Sequence, residues 1–240
     1  MRVWLHGFTG SPASFDEVRA HVPGPALLPS LLGHGRPPAE GADGWNEEID
    51  RLAAWLVDAG AHGSELVGYS LGARVGAGLL VRHPGLFRRA VLVGPNLGID
   101  DALRAERRAW EERWQRVLLD EGLAAFVDAW EALPLFDSQL GLPSVERWQQ
   151  QHDRRMGHTA RGLARSLAVQ GLSHMPDLRP AFASLSLPVR IVVGARDAKF
   201  LASTEPLASL PHVERCVVHG VGHNVAFEAP ERLAELVRWT

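Results

Sequence analysis

The sequence predicts a single α/β domain: a mostly parallel sheet with helices on both faces and an all-helical insertion near its middle. Two observations carry this. Short apolar runs ended by glycine or loop residues alternate with segments of helical periodicity, and the alternation stops between about residues 100 and 176, where only helical patterns occur. Strands buried on both faces read as continuous apolar runs, which marks a parallel sheet covered on both sides. The expected division is a core of residues 1–99 and 177–240, with residues 100–176 as a helical lid inserted into it.

The elements follow in order. "VWLHG" reads as a buried strand feeding a loop, and "PALLPS", "GSELVGYS", "RRAVLVGPN", "LPVRIVVGARD" and "VERCVVHGVGH" repeat the pattern, making six strands. In "GWNEEIDRLAAWLVDAG", Trp45, Ile49, Leu52, Ala53 and Leu56 fall on one helical face, which Gly60 ends. In the insertion, "DALRAERRAWEERWQRV" places Leu103, Trp110, Trp114 and Val117 on one stripe. Arg107 falls on that stripe; Arg104, Arg108 and Arg113 fall off it as ordinary solvated charges. A second helix, "SVERWQQQHDRRMGHT", repeats the arrangement with Val145, Trp148, His152 and Arg155.

Composition excludes several functions. Hydrophobic residues make up 46% and charged residues 22%, as in ordinary globular domains, and the formal charge of −3 supplies no basic field for nucleic acid or anionic membrane. No apolar stretch reaches membrane-spanning length, and "MRVWLHGF" lacks the features of a signal peptide. Lone Cys216, in the apolar segment "VERCVVHG", reads as a buried small hydrophobe in a reducing compartment, so a cytoplasmic protein is expected. His219 and His223 are four apart but separated by glycines, with no accompanying zinc motif, and neither dinucleotide nor P-loop glycine patterns occur. Neither metal nor cofactor is expected. The oligomeric state is not set by these features.

Gly68-Tyr69-Ser70-Leu71-Gly72 matches G-x-S-x-G between a strand and a helix, the setting in which a serine is exposed on a tight turn. Asp197 follows the strand "VRIVVG" and His223 follows "ERCVVHG", so Ser, Asp and His come in the chain order of the triads of α/β-hydrolase folds. Serine Oγ is inert until a base takes its proton. His223 can do so if Asp197 holds its tautomer and stabilises the imidazolium. Oxyanion donors are expected from Leu71 N–H, next to the serine, and from Phe8 N–H in the "LHGFTGS" loop after the first strand. Arg74, one turn after the serine, joins Arg107 and Arg155 as three planar, permanently charged groups predicted to converge on the hydroxyl. Such a set suits a small molecule carrying several carboxylates.

The segments "LHGFTGS", "GYSLGAR", "RAERRAWEERW", "FVDAWEALPLF", "GARDAKF" and "GHNVAFEAP" resemble, over nearly the whole chain, the 2-succinyl-6-hydroxy-2,4-cyclohexadiene-1-carboxylate synthase family of menaquinone biosynthesis, which has the α/β-hydrolase fold. The resemblance implies a lyase in which the triad serine acts as a base. A ring proton is removed, pyruvate is eliminated, and the enolate-like oxygen sits in the oxyanion hole. It also implies substrate-binding roles for Arg74, Arg107, Arg155, Tyr69, Trp130 and Lys199. Ala73 stands where the family usually has a second glycine, and "GLSHMPDLRP" departs from the family's usual stretch. With no strand ahead of "VWLHG", a smaller sheet is expected than in many α/β-hydrolases. Hydrolysis of an ester or of a carbon–carbon bond shares the triad and stays open at this point, as does a binding protein that reuses the fold.

Overall fold

A computed structural model describes residues 1–141 and 144–239. Six strands, β1 (Arg2–Leu5), β2 (Ala26–Leu27), β3 (Ser64–Tyr69), β4 (Phe87–Val93), β5 (Val189–Gly194) and β6 (Val213–Val218), form one sheet in the order β2-β1-β3-β4-β5-β6. Every pairing is parallel. The expected six-strand sheet is therefore present, parallel throughout the described residues.

The core helices are α1 (Asp16–Ala20), α2 (Trp45–Asp58) and α3 (Leu71–Arg82). Between β4 and β5 lie α4 (Asp101–Arg116), α5 (Gly122–Glu131), α6 (Val145–Met156), α7 (Ala160–Gln170) and the short α8 (Arg179–Ala183). A π-helical turn, Val117–Glu121, joins α4 to α5. The chain ends with α9 (Ala198–Thr204), α10 (Val225–Glu228) and α11 (Pro230–Val237).

Successive strand residues point to opposite faces, so each strand feeds two cores. Leu66, Leu92 and Ile191 face the layer that includes α2, α3 and α8, whereas Val67, Val91 and Val192 face the layer of α1, α10 and α11. On α2, Trp45, Ile49, Leu52, Ala53 and Leu56 are buried as their spacing requires. The same face also buries Glu48, whose carboxylate pairs with Arg51 at 2.8 Å and accepts the N–H of Ala42 at 3.0 Å.

The helices between β4 and β5 carry a third core of their own, built on Trp114, Leu118, Phe126, Trp130 and Leu163. Two stripe positions fall outside it. Leu103 is 52% exposed and Val145 is 82% exposed, because each sits in the first turn of its helix, beyond the reach of the neighbours that cover the rest of the stripe. Arg104 is not a purely solvated charge: its Nη1 donates to the carbonyls of Ser173 and Met175 at 2.8 and 2.9 Å.

Candidate active site

The turn between β3 and α3 holds Ser70 at φ 51°, ψ −108°, in a region that residues with a Cβ rarely occupy. Two glycines make that turn possible. A Cβ on Gly68 would overlap the carbonyl of Gly72, and a Cβ on Gly72 would overlap the carbonyl of Leu5, so strand, helix and β1 pack too closely for any other residue. The turn thereby lifts the serine side chain to the C-terminal end of the sheet.

His223, on the loop after β6, meets it there. Its Nε2 lies 2.9 Å from Ser70 Oγ, and its Nδ1 lies 2.7 Å from Asp197 Oδ2. His223 and Asp197 are both buried. The other Asp197 oxygen caps α9 by accepting the N–H of Phe200 at 3.3 Å. The loop carrying the histidine is fastened on both sides by Glu228, which accepts the N–H of Gly222 at 2.7 Å and of Asn224 at 3.2 Å. Gly94, at φ 56°, faces the imidazole at a point where a Cβ would stand 2.8 Å from its Cε1.

Leu71 is the first residue of α3, so its N–H has no acceptor within the helix. Neither it nor the N–H of Phe8 donates a hydrogen bond among the described residues. Both residues border the same cavity as Ser70. These are the two free donors that an oxyanion requires.

That cavity, of about 550 Å³, lies between the ends of the strands and helices α4, α5 and α7. Arg74, Arg107, Arg196 and Lys199 border it, against Asp137 and the Asp197 of the triad. Arg74 Nη1 donates to the carbonyl of Gln170 at 2.8 Å. Burial, with the nearby charge of Arg107, pushes the Arg74 guanidinium down to about 10, which leaves it charged at neutral pH. Burial, followed by Arg107, also lowers Lys199 below the ordinary lysine value. Like charges are thus brought together along the wall of one cavity, an arrangement that an anion would relieve.

Arg155 lies apart from this group. It borders a second, smaller cavity of about 70 Å³ with Tyr69, on the other side of Phe8 and Trp130, and Ser70 and His223 border that cavity too. The guanidinium is held there by Glu131 at 2.7 Å, with the ring of Phe136 4.9 Å beneath it. Helix α6 packs on α5, and Arg155 reaches the smaller cavity from there. The three arginines thus approach the hydroxyl through two cavities, Arg74 and Arg107 bordering the larger and Arg155 the smaller, with Ser70 on the border of both. Trp130 borders both cavities and stacks on Phe126 at 5.4 Å, so it is at once helical core and site wall. Burial raises the Tyr69 phenol above its ordinary value, so it stays protonated.

Two residues of the site were not singled out from the sequence. Arg196 immediately precedes Asp197, and among the described residues its side chain makes no ion pair. Its position on a loop after a strand was the available signal. Glu111 is fully buried and binds Arg107 Nε at 2.7 Å. The spacing of four from Arg107 made that pair readable in advance. Among the described residues, no group of three or more His, Cys, Asp or Glu side chains could hold a metal ion. Among the described residues, no helix is long and apolar enough to cross a membrane.

A parallel sheet, a serine on a strained turn after β3, and Asp and His on later strand ends define a protein of the α/β-hydrolase class with an assembled Ser-His-Asp triad. The chain belongs to the alpha/beta hydrolase family, which it matches over residues 3–236. Within that family it falls among the 2-succinyl-6-hydroxy-2,4-cyclohexadiene-1-carboxylate synthases: it is 33% identical to the Salmonella typhimurium (strain LT2) protein of that name, over 98% of this chain and 93% of that one. The solved structure of MenH from S. aureus superposes with a TM-score of 0.90 at 26% identity, covering 98% of this chain and 91% of that chain. A thermophilic esterase from Thermogutta terrifontis, solved with malate bound, shares the fold at a TM-score of 0.79 and 21% identity, covering 99% of this chain and 87% of that one.

Proposed function

We propose that the protein is a lyase that eliminates pyruvate from 2-succinyl-5-enolpyruvyl-6-hydroxy-3-cyclohexene-1-carboxylate, giving 2-succinyl-6-hydroxy-2,4-cyclohexadiene-1-carboxylate. The observation that carries this reading is the pairing of an assembled triad with a cavity bordered by four cationic side chains. A pocket for a neutral ester is mostly apolar with few fixed charges. A substrate with three carboxylates repays the desolvation of Arg74, whose guanidinium meets only the Gln170 carbonyl and which a neutral substrate leaves without a counter-charge.

In this reading Ser70, Asp197 and His223 are the catalytic residues. Ser70 Oγ gives its proton to His223 Nε2 and takes the ring proton. The electrons of that C–H bond form a new ring double bond, the existing ring double bond shifts one position toward the leaving group, and the bond from the ring to the enolpyruvyl oxygen breaks with its electron pair on that oxygen. The departing enolate is protonated by the His223 imidazolium and leaves as pyruvate. Charge that develops on the substrate oxygen during proton removal is received by Phe8 N–H and Leu71 N–H. Arg74, Arg107 and Lys199 hold carboxylates in the larger cavity. Arg155 and Tyr69 approach from the smaller one, and Trp130 forms the wall between them. The helices of residues 100–176 act as a lid that keeps water out, and the partner is this small polycarboxylate, met in the cytoplasm.

The test is incubation of the purified protein with that tricarboxylate while pyruvate is measured. Pyruvate release that disappears in Ser70→Ala is the expected result. Release that persists in Ser70→Ala would assign the base elsewhere. No release from the wild type, with turnover of p-nitrophenyl esters instead, would make the protein an ester hydrolase.

A further inference from the structure

The loop that presents Phe8 N–H is an improbable one. Gly7 to Gly10 form a four-residue turn closed by Gly10 N–H donating to the Gly7 carbonyl at 3.0 Å, and Thr9, its third residue, has φ 62°. Turns of this kind take glycine or asparagine at that position, and a β-branched residue there is a strained outlier that persists only where its surroundings enforce it. In this chain the enforcement comes from imidazoles. Thr9 N–H donates to His34 Nε2 at 3.2 Å, and His158 Nε2–H donates to the Thr9 carbonyl at 3.1 Å.

The clamp is braced at every nitrogen. His34 Nδ1–H donates to the Leu32 carbonyl at 3.0 Å, and Gly35 N–H donates to His158 Nδ1 at 2.8 Å. His6 Nε2 accepts Leu31 N–H at 3.1 Å, while its Nδ1–H donates to the Gly7 carbonyl at 2.9 Å. The three rings stack edge to face, with centroids 4.8 Å apart from His6 to His34 and 5.2 Å from His34 to His158. Each ring presents one bare nitrogen to a backbone N–H, so all three are neutral and their tautomers are set. Burial, the largest cause in each, lowers the pKa of all three, which agrees with neutrality.

His158 comes from the segment between α6 and α7, on the far side of the site. It is joined to the core a third time, where Arg36 Nε donates to its carbonyl at 2.6 Å. We infer that His34 and His158 are positioning residues for the reaction: they clamp the strained Thr9 backbone so that Phe8 N–H points into the oxyanion hole, and His158 ties that donor to the helical segment over the site. The inference rests on the oxyanion role given to Phe8 N–H above.

The test uses His158→Leu, His158→Gln, Thr9→Gly and the double variant Thr9→Gly/His158→Leu in the full-length protein. Two readouts are taken: kcat and KM for pyruvate release, and the rate constant for fluorophosphonate labelling of Ser70, whose phosphonyl oxygen needs the same hole whatever the natural substrate. Loss of one oxyanion donor slows catalysis about 10²–10³-fold. A misplaced donor should give part of that, about 30-fold in kcat and in labelling for His158→Leu, with KM changed less than about threefold. His158→Gln keeps a donor for the Thr9 carbonyl and should recover most of the loss. Glycine adopts φ 62° without strain, so the double variant should label faster than His158→Leu by about 10-fold.

His158→Leu with both rates within twofold of wild type, per folded molecule by circular dichroism, overturns the clamp. So does a loss that neither Gln nor the glycine relieves, because that marks a purely structural histidine. If His158→Leu is insoluble, the comparison of His158→Gln with His158→Ala decides on the same criteria. Wild type that labels but releases no pyruvate overturns the proposed reaction and leaves the clamp to be judged by labelling. Wild type that neither labels nor turns over removes the oxyanion hole and the clamp with it.

Discussion

Arg107 and Glu111, one turn apart on α4, form an ion pair at 2.7 Å in which the carboxylate is fully buried and the guanidinium borders the main cavity. Glu111 also accepts the N–H of Leu172 at 2.6 Å and of Ser173 at 3.2 Å, and the Ser173 hydroxyl at 2.5 Å. One acid thus aims the arginine and fastens α4 to the segment after α7. The two residues should therefore fail differently. Arg107→Ala leaves Glu111 with its other three donors, so the fold should survive while KM for the tricarboxylate rises about 30-fold, the equivalent of ~2 kcal/mol for a lost charge-assisted contact. Turnover of a p-nitrophenyl ester should scarcely change, and equal loss on both substrates would make Arg107 structural. Glu111→Ala strands three donors and leaves the half-buried Arg107 cation without its partner, and should lower unfolding free energy by ~3 kcal/mol in urea titration.

Asp197 accepts His223 Nδ1 and orients the imidazole toward the serine. Asp197→Asn preserves the shape but presents the wrong partner to Nδ1, so kcat should fall about 10³–10⁴-fold with KM little altered. A loss below about tenfold in steady-state pyruvate release would remove Asp197 from the triad.

Gly94 stands against the His223 ring at φ 56°. Gly94→Ala should displace the imidazole from Ser70 and cut kcat at least 10-fold, and should also lower stability by ~1 kcal/mol because alanine resists that backbone conformation. Unchanged kcat alongside a lowered thermal midpoint would mean the ring yields without losing its hydrogen bond to the serine.

Burial pushes His6 down to about 4, from an ordinary value of 6.5. His34 and His158, which face it, are lowered by burial as well, and the charge of Arg36 adds to the lowering of His158. Between pH 6.5 and 4 the unfolded chain takes up protons that the folded chain refuses. Stability is therefore intact above about pH 6.5 and is lost as pH falls, by up to ~3 kcal/mol for His6 alone. The urea midpoint should drop steadily across that window, with the slope reduced in His6→Asn. A flat profile would contradict the neutral, fully bonded cluster.

Much of the site was readable before any coordinates. Ser70 is announced by its glycines, which the crowding of Gly68 and Gly72 requires. Asp197 and His223 are marked by their place after strands in a fixed chain order. Periodicity found the buried face of α2 and put Arg107 on the inner stripe of α4, because helical spacing is a local property that survives in one dimension. It did not find that Leu103 and Val145 lie past the end of their packing partners. Nor did it separate Arg155 from the other two arginines, since spacing names a helix face but not the neighbour that face meets.

From its sequence alone, this chain determines which residues form strands and helices, that the strands run parallel, and that a serine, an acid and a histidine occupy strand ends. Each of these depends on residue type and near-neighbour order, which chain connectivity preserves. Only the tertiary structure decides that Arg74 and Arg107 border one cavity at Ser70 and Arg155 another, that Glu111 steers Arg107, and that imidazoles from two separate segments, His34 and His158, close on Thr9. Those relations join residues as many as 149 positions apart, and they are set by how the helices between β4 and β5 settle on the sheet, a packing outcome that no local pattern encodes.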